Sequence, residues 1–102
     1  MLELRPNCEA CDRDLPPDCT DACICTYECT FCYDCVSHRL MNVCPNCGGG
    51  FTPRPIRPKT EWRPGVNLSH QPASTTRVNT QYSHSEMKLF SDSVNVIAPK
   101  NR

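Results

Sequence analysis

Apolar side chains in the first half of the chain come singly or in short alternations, and each pattern predicts only a small element. Leu2–Glu3–Leu4 alternates, which predicts a short strand within residues 1–7. A second short strand is expected over Ile24–Tyr27. A helix is then expected over about Tyr33–Asn42, with Val36, Leu40 and Val43 at helical spacing as its buried stripe. Between these, residues 12–22 (DRDLPPDCTDA) are acidic and contain Pro16 and Pro17, the composition of a surface loop.

The second half has a different pattern. Pro53, Pro55, Pro58, Pro64 and Pro72 interrupt residues 53–72, so an extended, polyproline-like segment is expected there. Ser83 with Glu86 three residues later matches a capping box, and Met87, Phe90 and Val94 follow at helical spacing. A short amphipathic helix is therefore predicted near residues 84–95. The chain divides on this reading into a module over 1–52, a basic proline-rich segment over 53–72 and a tail over 73–102.

The large apolar side chains of residues 1–52 are too few to offset the chain entropy of folding, so a staple is needed. All ten cysteines lie at or before Cys47. The N-terminus lacks a basic stretch followed by an apolar one, and no run approaches the length of a membrane span, so a cytoplasmic protein without a membrane partner is expected. In a reducing compartment, paired cysteines favour metal ligation over disulfides.

Eight of the ten cysteines form a regular series: Cys8-x2-Cys11-x13-Cys25-x3-Cys29-x2-Cys32-x2-Cys35-x8-Cys44-x2-Cys47. Eight thiolates fill two four-coordinate sites. Zn²⁺ suits such sites because it accepts tetrahedral sulfur without redox change. Iron in one site is the alternative, since CPNCG is similar to a rubredoxin knuckle. The spacing fits either a cross-braced or a sequential pairing. Pro45 fixes the turn of the last knuckle and Gly48 can take a positive φ behind it. Cys19 and Cys23 fall outside the series and read as incidental thiols, with a redox pair or spare ligands as the competing readings. His38, three residues after Cys35, reads as a solvent-facing helix residue, with substitution for a cysteine ligand as the competing reading, and His70 and His84 have no ligand-like companions.

Charge separates the same two halves. Residues 1–52 hold eight acidic residues against three arginines, a formal balance of minus five; the remainder holds eight basic residues against three acidic ones, plus five. Two zinc ions on eight thiolates would add about four further negative charges to the first half. The basic half can fold back on the acidic half, with Ile56 and Trp62 covering the thin core. The competing reading takes Arg54, Arg57, Lys59, Trp62 and Arg63 as docking or nucleic-acid contacts, cations for phosphate and an aromatic for stacking.

The cysteine series resembles the RING finger, including Phe31 before the fifth ligand and Pro45 in the last CPxC, with Cys29 where histidine is commoner. That resemblance implies a cross-brace in a small zinc-stabilised α+β fold. Cys8, Cys11, Cys32 and Cys35 would hold one zinc, and Cys25, Cys29, Cys44 and Cys47 the other. Ubiquitin-ligase function is disfavoured, because Ala10, Arg39 and Gly48 stand where partner-binding RING fingers carry an aliphatic, a tryptophan and an arginine. MLELRPNCEACDRDLPPD, ECTFCYDC, VCPNCGGGF and RPIRP further resemble an uncharacterised bacterial family, domain of unknown function twelve-seventy-two. The expected function is a non-catalytic protein-interaction or adaptor module. Nucleic-acid binding through the basic segment is the alternative, and a thiol redox protein comes after it.

Overall fold

The computed structural model describes residues 1–102. A three-stranded antiparallel sheet of order β2-β1-β3 joins Ala22–Ile24 (β1), Thr30–Cys32 (β2) and Thr52–Pro53 (β3). β1 and β2 form a hairpin, with Cys23 opposite Phe31, and Pro53 lies opposite Cys23 on the other side. Glu28, at φ 65°, closes the hairpin loop, where the Cys25 amide donates to the Cys29 carbonyl at 3.2 Å. β3 spans the boundary between residues 52 and 53, so the sheet takes its last strand from the start of the proline-rich segment. Proline is tolerated there because β3 is an edge strand.

The expected strand at the N-terminus does not form. Leu4 takes φ 60° and turns its side chain into the protein, 4% exposed, and only an isolated bridge pairs Asn7 with Asp14. The second strand runs earlier than its apolar pattern suggested, over Ala22–Ile24, because Cys25 leaves the sheet to enter the cysteine-lined loop. The first helix is α1, Tyr33–His38, and it stops short of Asn42. Met41 and Asn42 take φ of 50° and 60°, left-handed values that end a helix. The buried stripe nonetheless forms: Val36, Leu40 and Val43 are all buried, the last two from the turn that follows α1.

Leu15, Phe31, Val36, Leu40 and Met87 supply the large apolar side chains of the core, which is otherwise lined by cysteines. Phe51 packs edge-on against Phe31, ring centroids 5.3 Å apart. Complete burial of such a side chain contributes about 1.5–3 kcal/mol, and so few of them leave the module dependent on other restraints.

The second half wraps on the first. α2, His84–Val94, carries the predicted capping box, with Ser83 and Glu86 bonding each other's backbone amides. It docks through buried Met87 and through Ser91, whose hydroxyl donates to the Leu40 carbonyl at 2.8 Å. Ahead of α2, Asn7 exchanges hydrogen bonds with both backbone groups of Val78 (2.9 and 3.1 Å), and the Thr80 amide donates to the Glu9 carbonyl at 2.9 Å. Arg77 pairs with Asp12 and Asp14. The wrapping therefore occurs, but Ile56 and Trp62 do not cover the core: both are exposed, Trp62 by 78%. The buried residues of that segment are Asn67 and Arg54, the latter a fork of donors that serves carbonyls no apolar side chain could.

Candidate metal centre

The hairpin β1–β2 and the start of α1 bring distant cysteine pairs together. The sulfurs of Cys8, Cys11, Cys32 and Cys35 all lie within 4.8 Å of one another, and those of Cys25, Cys44 and Cys47 form a second such group. The first set joins the first and third pairs of the series, which is the cross-braced arrangement and excludes a sequential one for these four. Cys32 sits at the N-cap of α1 and Cys35 in its first turn, so one short element aims two sulfurs at the Cys8–Cys11 turn. In a tetrahedral site with metal–sulfur bonds of about 2.3 Å, sulfurs stand about 3.8 Å apart. Cys11 and Cys32 are separated by 3.8 Å, so the donor set fits a metal of that size.

Cys29 lies beside the second group without meeting its 4.8 Å separation. Burial pushes its thiol above the ordinary range, against the Asn46 amide, which favours the thiolate; Cys25 and Glu9 raise it further. Cys29 therefore borders the sulfur of Cys25 and a buried carboxylate at once.

The turns carrying Cys8–Cys11 and Cys44–Cys47 share one design. The Cys8 amide donates to the Arg13 carbonyl and the Asp12 amide to the Cys8 carbonyl, both at 2.9 Å; the Cys44 amide donates to Gly49 at 2.8 Å and the Gly48 amide to Cys44 at 2.7 Å. Asp12 and Gly48 both take positive φ, 63° and 82°. Backbone amides point at sulfur, Gly49 N–H at Cys47 in the second of these turns and Tyr27 N–H at Cys25 in the hairpin loop, each 3.4 Å away. Burial pushes the Cys8 and Cys44 thiols up, and neighbouring amides oppose that, including those of Cys11 and Ala10 at Cys8 and Asn46 and Cys47 at Cys44. At Cys11 burial is outweighed by the Arg13 amide and adjoining thiols, and its thiol falls below the ordinary value. Burial also raises Cys35, strongly, with Cys8 and Cys32 adding to it.

Sequence reasoning missed the polar residues around the sulfurs. Glu9, 3% exposed, accepts hydrogen bonds from the Thr30 amide (2.6 Å), the Asn46 side chain (3.2 Å) and the Arg5 guanidinium (2.9 Å). Arg5 in turn feels Cys29, and Arg13 feels Cys32, so each cluster has one guanidinium beside it. Such cations offset part of the negative charge of a thiolate site. The only sequence signal for them was the presence of two arginines within five residues of the first cysteine pair.

The other cysteines and histidines stand apart. Cys19 and Cys23 belong to neither sulfur group. Cys23 is buried in β1, and Cys19 lies near the Arg54 guanidinium, 3.8 Å from its Nη2. His38 is exposed and bonds the Asp34 carbonyl, His70 bonds Asn67, and His84 faces Arg39.

The five basic-segment residues do not form one surface. Arg54 donates to the carbonyls of Arg5 (2.8 Å), Leu15 (3.2 Å) and Pro16 (3.1 Å), and Arg57 to those of Leu2 and Gln71, both at 2.6 Å. These two arginines, expected as docking or nucleic-acid contacts, bond backbone carbonyls and tie the segment to the module. Lys59, Trp62 and Arg63 remain exposed.

Residues 1–57 match the family described as Protein of unknown function (DUF1272). The chain belongs to that family. The matched residues include every cysteine of both clusters as well as Arg54 and Arg57. An uncharacterized protein of Rhizobium meliloti (strain 1021) is 58% identical over 78 residues, covering 76% of this chain and 86% of the relative. No solved structure matches the chain. No helix is long and apolar enough to cross a membrane.

Proposed function

We propose that the chain is a non-catalytic protein-interaction module of the adaptor kind, built on two structural zinc ions. Cys8, Cys11, Cys32 and Cys35 hold one, and Cys25, Cys44 and Cys47 hold the second with Cys29 as the fourth sulfur. The observation that carries this reading is the meeting of four sulfurs from pairs about twenty residues apart, at the spacing of a tetrahedral thiolate site. Zinc supplies a charge-neutralising cross-link between distant segments. The chain's own part is to orient sulfur: the knuckle amides point at the thiolates, and Arg5 and Arg13 lie beside them.

Four sulfurs on each ion leave no open position for water or substrate, which favours a structural over a hydrolytic role. A ubiquitin-ligase reading loses further ground at the positions where RING partners bind. Arg39 packs against His84, and Gly48 meets Phe90 and bonds Arg102, so the chain's own C-terminal part engages them. Metal analysis of untagged protein tests the proposal. Two zinc per chain is expected; one would break the ligand assignment, and iron would overturn the choice of metal.

A further inference from the structure

Residues 58–71 form a loop that closes on itself. The Leu68 amide donates to the Pro58 carbonyl at 2.9 Å, and the Gln71 side chain to the Gly65 carbonyl at 2.7 Å. Asn67, 7% exposed, donates to the Lys59 carbonyl (3.3 Å) and accepts from the His70 amide (3.0 Å). Arg57 locks the base to the N-terminal segment through Gln71 and Leu2. Gly65 takes φ 79°, and the Glu61 carboxylate turns back onto its amide at 3.1 Å. Asn67 turns its polar groups into the loop, whereas Trp62 and Val66 are exposed, as are Lys59 and Arg63.

A tryptophan held outward on an ordered loop costs hydration free energy and contributes nothing to the core. Large aromatic and arginine side chains presented together, without an ordering cost at the moment of binding, are what concentrate affinity at protein interfaces. From this we infer that the Trp62 loop is the docking surface of the module, and that its partner is a protein segment carrying an apolar residue next to acidic ones. The inference rests on the adaptor reading and gives that reading a place on the molecule.

Charge selects this occupant over a nucleic acid. Arg54 and Arg57 are engaged by carbonyls, so the loop offers two free cations, and Glu61 lies between them. Two phosphate contacts are a weak electrostatic anchor. The plus five of residues 53–102 offsets the minus five of residues 1–52, so the formally neutral chain offers no long-range attraction to a polyanion. A short acidic epitope within about 8–10 Å of Lys59 and Arg63 meets mainly those two cations.

The test uses the zinc-loaded full chain as bait for a random-peptide phage library, with Trp62→Ala in parallel. Trp62 is the only tryptophan, so its fluorescence reports contact directly. Selected peptides should combine acidic and apolar residues and quench or blue-shift that fluorescence. They should lose about tenfold or more in affinity with Trp62→Ala and several-fold with Arg63→Glu. The Trp62→Ala protein should keep its zinc content and melting temperature; loss of either would mean that Trp62 is structural and would overturn the inference. Peptides that bind Trp62→Ala equally well overturn it while leaving the adaptor reading in place. No enriched peptide on either protein overturns both, and tryptophan quenching by oligothymidylate that weakens with salt replaces the partner with nucleic acid.

Discussion

Asp12 and Gly48 occupy the same position in two equivalent turns: each follows a CxxC pair, each donates its amide to the carbonyl of the first cysteine, and each has a left-handed φ. Glycine adopts that conformation without strain, whereas an L-residue pays about 1–2 kcal/mol for it. Asp12 tolerates it because its carboxylate accepts from Asn7 (3.1 Å) and Arg77 (3.1 Å).

Substitution should separate backbone strain from side-chain bonding at this position. Gly48→Ala is expected to destabilise the protein by about 1 kcal/mol through strain, since the added Cβ would lie 3.6 Å from Phe90, an ordinary contact. Asp12→Ala should cost more than Asp12→Gly by a similar margin, because both lose the carboxylate and only alanine keeps the strain. Urea unfolding at fixed free zinc measures both differences. Equal values for Asp12→Ala and Asp12→Gly would show that the turn is unstrained.

Arg54 ties the proline-rich segment to Arg5 and to Leu15–Pro16, and its loss leaves the Arg5 and Leu15 carbonyls short of a donor, while that of Pro16 keeps the Cys19 amide at 3.0 Å. Arg54→Met keeps most of the volume but removes every hydrogen bond, so a loss of about 2–4 kcal/mol is expected from charged hydrogen bonds broken in a buried place. Arg54→Lys should recover part of this, since an ammonium reaches fewer of the three acceptors at once. A thermal shift at constant zinc reads the series, and a stable Arg54→Met protein would mean that the proline-rich segment is held elsewhere.

Cys19 should behave as an inert thiol. Burial raises it above the ordinary value, and Asp21 adds to this against the opposing pull of Arg54. The thiolate is the reactive form, so at pH 8 iodoacetamide should modify Cys19 more slowly than an unstructured cysteine, and the rate should keep rising as pH climbs through the elevated value. Mass spectrometry of the alkylated site checks it. A rate at pH 7 faster than that of the unfolded control would restore the redox reading for Cys19 and Cys23.

What could be read from the sequence was whatever depends on local chemistry. The capping box of α2 needs only Ser83 and Glu86, the turn after Cys47 needs only Gly48, and the Val36–Leu40–Val43 stripe survives although α1 ends at His38. The early end of α1 is local, set by the left-handed φ of Met41 and Asn42, whereas the failures at Arg54 and Arg57 involve long-range partners. Leu4 loses its strand alternation because the segment turns inward, and Arg57 bonds its Leu2 neighbour's carbonyl from 55 positions away. Arg54 and Trp62 exchange the roles their polarity suggests. A buried guanidinium is tolerated where it satisfies three carbonyls, and no pattern of apolar and polar positions records which carbonyls lie without donors.

A cross-brace predicts one further behaviour that sequential sites would not. The Cys8–Cys11 turn meets Cys32–Cys35 across the hairpin that carries Cys25 and Cys29, so release of either metal frees a segment that positions the other's ligands. Structural zinc contributes about 10–16 kcal/mol per site at neutral pH, as much as the whole stability of a domain with a core this small. Titration with a chelator should therefore remove both zinc ions in one cooperative step, together with the far-ultraviolet dichroism of the module. Cys32→Ser should abolish that step and leave a largely unfolded chain, because Cys32 is at once a member of the first sulfur group, part of β2 and the N-cap of α1. Two separated releases, with structure surviving the first, would instead mean that the clusters fold independently.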